Sequence, residues 1–328
     1  MFIKGGLNKF VGKYWLLLFF ILIILFMGIF QISFQDIWQA FSSLELWQLG
    51  LLFLVYLLIS LFLIISRKYL LHSLRSPSKL KNLFLIHFAS MTAHYSTPAK
   101  LGFPLTVYLL KKLEDIPYAT GTAVVLIELV VSTGICGVIA VFGSYFYFAD
   151  KASRILPFLL LFVLCVLGLC VVGVILRKKT LKSPLFRFIG DLYDAFKRLD
   201  RINTSLYIAV RLFIQVFSGV SLMLLARFFS SDLSLLQAVV AGSTAFFLGA
   251  LSMIPMGLGV REASVLFYLH YVGIPNEVGL SIVTIQRLLS TGLSFALGML
   301  LGTLLGVKNL SSNSNTKKNE IRSANHDR

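Results

Sequence analysis

Six apolar runs, each 19 residues or longer, leave this chain few ways to fold. They cover about Tyr14–Ile32, Leu46–Ile65, Ala119–Phe148, Ile155–Leu176, Thr204–Phe229 and Asn276–Leu305. About 20 apolar residues make a helix as long as the hydrocarbon core of a bilayer is thick. Inside that core each backbone N–H and C=O must be satisfied within its own segment, which a helix does. Charged residues make up 13% of the chain and hydrophobic residues 57%. A soluble domain carries nearer a quarter charged. The expected fold class is therefore an all-α polytopic membrane protein. The net charge of +16 would suit nucleic acid, but that reading needs a polar domain with a basic face, and none is present. Lys4, Lys9 and Lys13 precede the first run as in a signal peptide. That run is too long and lacks a small-x-small cleavage site, so it reads as an uncleaved first span. Cys136, Cys165 and Cys170 sit in apolar runs without metal spacing and read as packing residues.

Two further apolar stretches are interrupted. Residues 82–112 carry Pro98, Gly102 and Pro104; residues 233–272 carry Pro255, Gly257 and Gly259, followed by Arg261 and Glu262. Proline removes a helix donor and glycine loosens the backbone. Broken backbone and charge at membrane depth are costly unless they face protein or a cavity. The segment Ser252–Phe267 is for that reason the leading candidate for a functional site.

The two stretches also correspond. Pro98-Ala-Lys-Leu-Gly102-Phe aligns with Pro255-Met-Gly-Leu-Gly259-Val at an offset of 157 residues. At an offset of 158, Ile116-Pro117 meets Ile274-Pro275, Gly121 meets Gly279, Glu128 meets Gln286, and Ser132-Thr133-Gly134 meets Ser290-Thr291-Gly292. An internal repeat is the physical reading of such order. Each repeat would hold three spanning helices and one re-entrant helical hairpin. Three crossings invert the second repeat relative to the first. The first repeat would occupy 1–176 together with the first helix of the second, 155–176. A basic amphipathic linker follows at 177–203, the rest of the second repeat at 204–306, and a disordered polar tail at 307–328. The positive-inside rule places both termini, Arg67–Lys81, Lys111–Lys112 and Arg177–Arg201 in the cytoplasm. Lys151 and Arg154 alone fall outside. Localisation to a plasma (inner) membrane follows as an expectation.

A half-helix that begins inside the membrane offers free N–H groups and the positive end of its dipole. Gly257 and Gly259 would let an anionic group approach, and Arg261 would add a forked donor suited to phosphate. Glu262 would balance Arg261 in the empty site or bind a cationic head group. Lys100, beside Gly102, occupies the matching tip of the first stretch. The blander readings are an Arg261–Glu262 pair that locks a tight hairpin, and a Lys100 that snorkels to the cytoplasm. Glu128 and Arg287 lie some ten residues inside symmetry-related spans and are expected to pair across the pseudo-dyad. Arg211 and Arg227 are expected to snorkel near span ends, and His87, His94 and His270 to pack or sit at the interface. Gln286, Pro98 and Pro255 have supporting roles.

At these residues the sequence resembles the lysylphosphatidylglycerol-synthase transmembrane-region family, flippase-like integral membrane proteins related to the membrane module of the multiple peptide resistance proteins. The family's second break reads roughly Pro-x-Gly-x-Gly-x-Arg-Glu, met here by Pro255, Gly257, Gly259, Arg261 and Glu262. Its first break is matched by Pro98, Lys100 and Gly102, with Tyr108-Leu109-Leu110 following, whereas Phe103 and Thr106 replace a Glu and an Arg. The family's Glu-Arg in the next span is Glu128-Leu129 here, and Arg287 matches a basic position in the last span. The resemblance implies translocation of a lipid or membrane support of a lipid-modifying enzyme.

Three functions follow as expectations. The first is a translocase that moves a phosphate-bearing lipid between leaflets. The second is an aminoacyl or glycosyl transferase, against which no loop holds a paired-carboxylate or nucleophile constellation. The third is a membrane subunit that supports a separate transferase. The expected partners are anionic membrane lipids, with a separate lipid-modifying enzyme and a homo-oligomer left open. No cofactor, metal or catalytic residue is expected.

Overall fold

The computed structural model describes residues 42–96, 102–147, 197–252 and 257–324. The first span, the fourth span, residues 177–196 of the basic linker, and Pro98, Lys100 and Pro255 lie outside the described residues. Within them are eight helices and no strand: α1 Leu46–Ser73, α2 Leu80–Ser96, α3 Gly102–Glu114, α4 Tyr118–Tyr147, α5 Arg201–Phe228, α6 Leu235–Leu251, α7 Val260–Tyr271 and α8 Asn276–Ala324. Helices α1, α4, α5 and α8 are long and apolar enough to cross a membrane.

Two helix starts carry side-chain caps of the kind their sequence favours. Ser234 caps α6 by accepting from the Gln237 N–H, and the Gln237 side chain returns to the Ser234 N–H at 2.9 Å. Asp200 caps α5 by accepting from the Asn203 N–H. The observed helices also run past some expected ends. α1 continues eight residues beyond Ile65 to Ser73, so Arg67 and Lys68 belong to the helix and not to a cytoplasmic loop. α8 extends beyond Leu305 into the polar tail expected to be disordered; no proline follows Pro275 to stop it.

The helices gather into two apolar cores at opposite ends of the molecule. One joins the C-terminal half of α1 (Ile64, Leu70, Leu71) with α2, α3, the start of α4 and Tyr207 of α5. The other joins the N-terminal half of α1 (Leu52) with the end of α5, α6, α7 and the start of α8. α1 packs along α5 and ties the two cores together. α2 packs on α3 and α8, while α6 packs on α7 and α4. Close approach depends on small residues, as expected where lipid removes the hydrophobic drive for helix association. A Cβ on Gly137 of α4 would stand 2.8 Å from the Phe247 ring of α6, and one on Gly298 of α8 would fall inside Thr92 of α2. The outward faces stay apolar: the most apolar windows of the four long helices are only 17–33% buried. Val130 and Phe142 of α4 and Phe267 of α7 point outward, a surface suited to lipid and not to water.

Candidate functional site

The chain doubles back where its sequence is broken. Gly257 lies so close to Gly249, near the end of α6, that a Cβ on Gly257 would stand 3.0 Å from the Gly249 Cα. Gly257 and Gly259 have φ of +63° and +79°, a left-handed backbone that side chains disfavour. This permits the turn from which α7 restarts at Val260.

Arg261, on the first turn of α7, lies over that turn. A Cβ on Gly257 would meet its Cγ at 2.8 Å and its Cδ at 2.9 Å, and Gly249 borders the same stem. Its guanidinium carbon sits 5.3 Å from the centre of the Phe246 ring, within cation–π range. The space that the sequence assigns to a phosphate beside Gly257 thus holds the methylenes of Arg261 itself. Glu262 is buried. One carboxylate oxygen accepts from the Gly259 N–H at 2.8 Å, so the first orphan donor of α7 is satisfied internally. The other lies 2.8 Å from Nε of Arg287 on α8. The charge partner of Glu262 is therefore Arg287, and the expected balance between Glu262 and Arg261 is corrected.

Glu128 is likewise corrected: it does not pair with Arg287. It accepts from Arg67 of α1 in a fork, Nε to Oε1 at 2.9 Å and Nη2 to Oε2 at 2.8 Å. Arg211 of α5 approaches the same carboxylate at 3.2 Å and donates to Ser132 Oγ at 3.1 Å. The physical reason is depth. Glu128 meets Arg67 of α1, whereas Gln286, next to Arg287, meets Tyr56, 11 residues or about 16 Å earlier on the same helix. Arg211, expected to snorkel, is held inside the bundle with its side chain 11% exposed. Arg67, expected in a cytoplasmic loop, is 8% exposed. His87 is buried at 2%, edge-on to Phe88 and within electrostatic range of Arg67, Glu128 and Arg211.

Other expected site residues take quieter positions. A Cβ on Gly102 would stand 2.5 Å from the Ser90 carbonyl oxygen, so this glycine lets α3 start against α2. Gln286 contributes its backbone carbonyl, which accepts from the Tyr56 hydroxyl at 3.4 Å. Among the described residues, no three His, Cys, Asp or Glu side chains gather as a metal site.

Sequence reasoning missed Arg67, Arg211 and a polar track between α4 and α5. Ser132 meets Arg211, Cys136 donates to Oε1 of Gln215 at 3.3 Å, and Nε2 of Gln215 donates to Ser243 of α6 at 2.8 Å. The signal was available as two stripes of i, i+4, i+8 spacing: Glu128, Ser132, Cys136 and Tyr207, Arg211, Gln215. Such stripes place polar groups on one helix face.

The family model for the lysylphosphatidylglycerol synthase TM region matches residues 14–298, which takes in both interrupted stretches, three of the four long helices and the first 23 residues of the fourth. A UPF0104 membrane protein of Methanocaldococcus jannaschii is 24% identical over 275 residues, 76% of this chain and 82% of that protein. With four described helices long and apolar enough to cross a membrane and a family match over most of its length, this chain belongs to the lysylphosphatidylglycerol synthase TM region family of membrane proteins.

Proposed function

We propose that this protein is a lipid translocase that moves a phosphate-bearing lipid between leaflets, built as two inverted repeats. The observation that carries the proposal is the second hairpin. α6 and α7 are 17 and 12 residues long, about 26 and 18 Å, each short of a bilayer core of about 30 Å. Their junction presents Arg261 beside a pair of the buried Glu262 with the half-buried Arg287. Discontinuous helices that meet inside a membrane are how transporters bind charged groups. Reciprocal packing supports the repeat reading. α2 packs on α8 as α6 packs on α4, the exchange that an inverted repeat pairing α1 with α5 calls for. Gly121 borders Val107 of α3, as Gly279 borders Leu266 of α7. The basic residues support an inner-membrane protein with both termini in the cytoplasm.

In this reading Arg261 meets the lipid phosphate as a forked donor held by Gly249, Gly257 and Phe246. Glu262 orders the start of α7 and keeps Arg287 paired. Reconstitution into liposomes with labelled anionic and zwitterionic lipids tests it. Arg261→Glu should abolish flipping of the anionic lipid and Arg261→Lys should reduce it. Flipping at the wild-type rate by well-folded Arg261→Glu would return Arg261 to a structural role. The family description names a synthase, which favours one second reading, a membrane subunit that supports a separate lipid-modifying enzyme. Co-purification of such an enzyme, with no flipping by the protein alone, would select it.

A further inference from the structure

We propose that the buried cluster of Arg67, Arg211 and Tyr207 is an anion-binding site, separate from the hairpin tip, that takes one phosphate group. Two guanidiniums from α1 and α5 share the single carboxylate of Glu128. Counting these three groups, the cluster carries one unbalanced positive charge. Their side chains are only 10–12% exposed. A buried charge without a partner is costly, so the cluster calls for one more negative charge.

The hydrogen-bond account points the same way. Nη1 of Arg67, Nε of Arg211 and the hydroxyl of Tyr207 are all buried without a hydrogen-bond partner. Tyr207 is fully buried, with Arg211 over its ring at 5.4 Å. Buried donors are nearly always satisfied in folded proteins, and each one left unmet needs a reason. Three unmet donors in one net-positive cluster match the oxygens of a phosphate, which guanidiniums hold through charge-assisted bonds.

Position gives the site its access. Arg67 lies six residues from the end of α1 and Arg211 ten from the start of α5, about 9 and 15 Å along the helices. Those two ends are joined, with the Asp200 N–H donating to the Ser73 carbonyl at 3.1 Å. The same face carries Arg75, Lys79, Lys81, Lys111, Lys112, Arg198 and Arg201, so anions concentrate above the site. The phosphate group comes from a free ion or from a lipid head group.

Equilibrium binding to the full-length protein tests both sources. One arm uses radiolabelled inorganic phosphate and nanodiscs of phosphatidylcholine. The other uses nanodiscs doped with phosphatidylglycerol, with retained lipid counted by native mass spectrometry. Arg261→Gln, which lacks the guanidinium of the hairpin tip, should still bind one phosphate group per chain, which separates this site from the tip. Tyr207→Phe keeps the ring and removes one donor, and should weaken binding about tenfold, the size of one hydrogen bond to a charged group. Glu128→Gln removes the competing carboxylate and should tighten binding. Binding in both arms identifies a site open to free phosphate, and binding in the lipid arm alone identifies a head-group site. No saturable binding in either arm would overturn the proposal. So would equal affinity in wild type, Tyr207→Phe and Glu128→Gln, or loss of binding in Arg261→Gln alone.

Discussion

Neutralising Glu128 should be among the most destabilising single changes in this protein, and its energetic partners can be named in advance. The Glu128→Gln change leaves Arg67 and Arg211 buried without their carboxylate, and Gln cannot reproduce the forked acceptance at 2.8 and 2.9 Å. Each pair carries about 4 kcal/mol of Coulomb attraction at an effective dielectric near 20. Desolvation of the ions offsets much of that, and removal of one partner of a buried pair typically costs about 3–5 kcal/mol. Arg67→Gln should cost a similar amount. The double variant should cost less than the sum, with a coupling of about 1–3 kcal/mol as residues in direct contact show. Arg287→Gln supplies the contrast. Its partner is Glu262, so its effect should add to that of Glu128→Gln within about 0.5 kcal/mol. Equilibrium unfolding in mixed detergent micelles, with the denaturing detergent titrated, measures all four corners of each cycle. A coupling between Glu128 and Arg287 as large as that between Glu128 and Arg67 would refute the pairing described here.

Gly249→Leu would drive a side chain into the stem of Arg261 and should displace the guanidinium from Phe246, lowering anionic-lipid flipping while Gly50→Leu, in open space on α1, leaves it unchanged. Glu262→Gln should destabilise by up to about 3 kcal/mol, the low end for a buried pair, because Arg287 is only half-buried, and thermal unfolding should show the loss suppressed when Arg287→Gln is added. On a cysteine-free background, single cysteines at Ser78 and Ser231 should react with an impermeant maleimide from opposite sides of the membrane; reaction from one side would end the inverted-repeat reading. Asp200 is held below the usual carboxylate range, chiefly by the backbone N–H of Asn203 and then by the Asn203 side chain. A depressed carboxyl contributes stability above its unfolded pKa and loses it as pH falls through its folded value. The melting-temperature gap between wild type and Asp200→Ala should therefore be full at neutral pH and narrow below about pH 4.

The sequence by itself settled what depends on local chemistry and on the solvent. Long apolar runs with few charges force helices in a bilayer, and the observed α4 and α5 begin and end within a few residues of their apolar runs. The break at Gly257–Gly259 was legible because only glycine adopts that backbone cheaply; that Glu262 accepts from the Gly259 N–H at the start of α7 came from the structure. Two helix ends misled, because apolar pattern marks the membrane and not the helix. α1 continues past Ile65 through basic residues that its own backbone bonds carry just as well.

Partner choice belonged to the tertiary structure. Glu128 and Arg287 looked matched because equal depth from a helix start reads as equal depth in the membrane. In the bundle they stand at the levels of Arg67 and Tyr56 on α1, about 16 Å apart, and α1 and α5 bring Arg67 and Arg211 to Glu128 instead, across 61 and 83 residues of chain. Likewise, glycines that read as an opening for a ligand became the bed of Arg261 once Gly249 of the preceding helix closed over the turn. A one-dimensional pattern fixes which face of a helix is polar. How two helices are rotated and shifted against each other is set by the small residues where they touch, such as Gly137 under Phe247. Those contacts, made between segments far apart in the chain, decide which buried charge meets which.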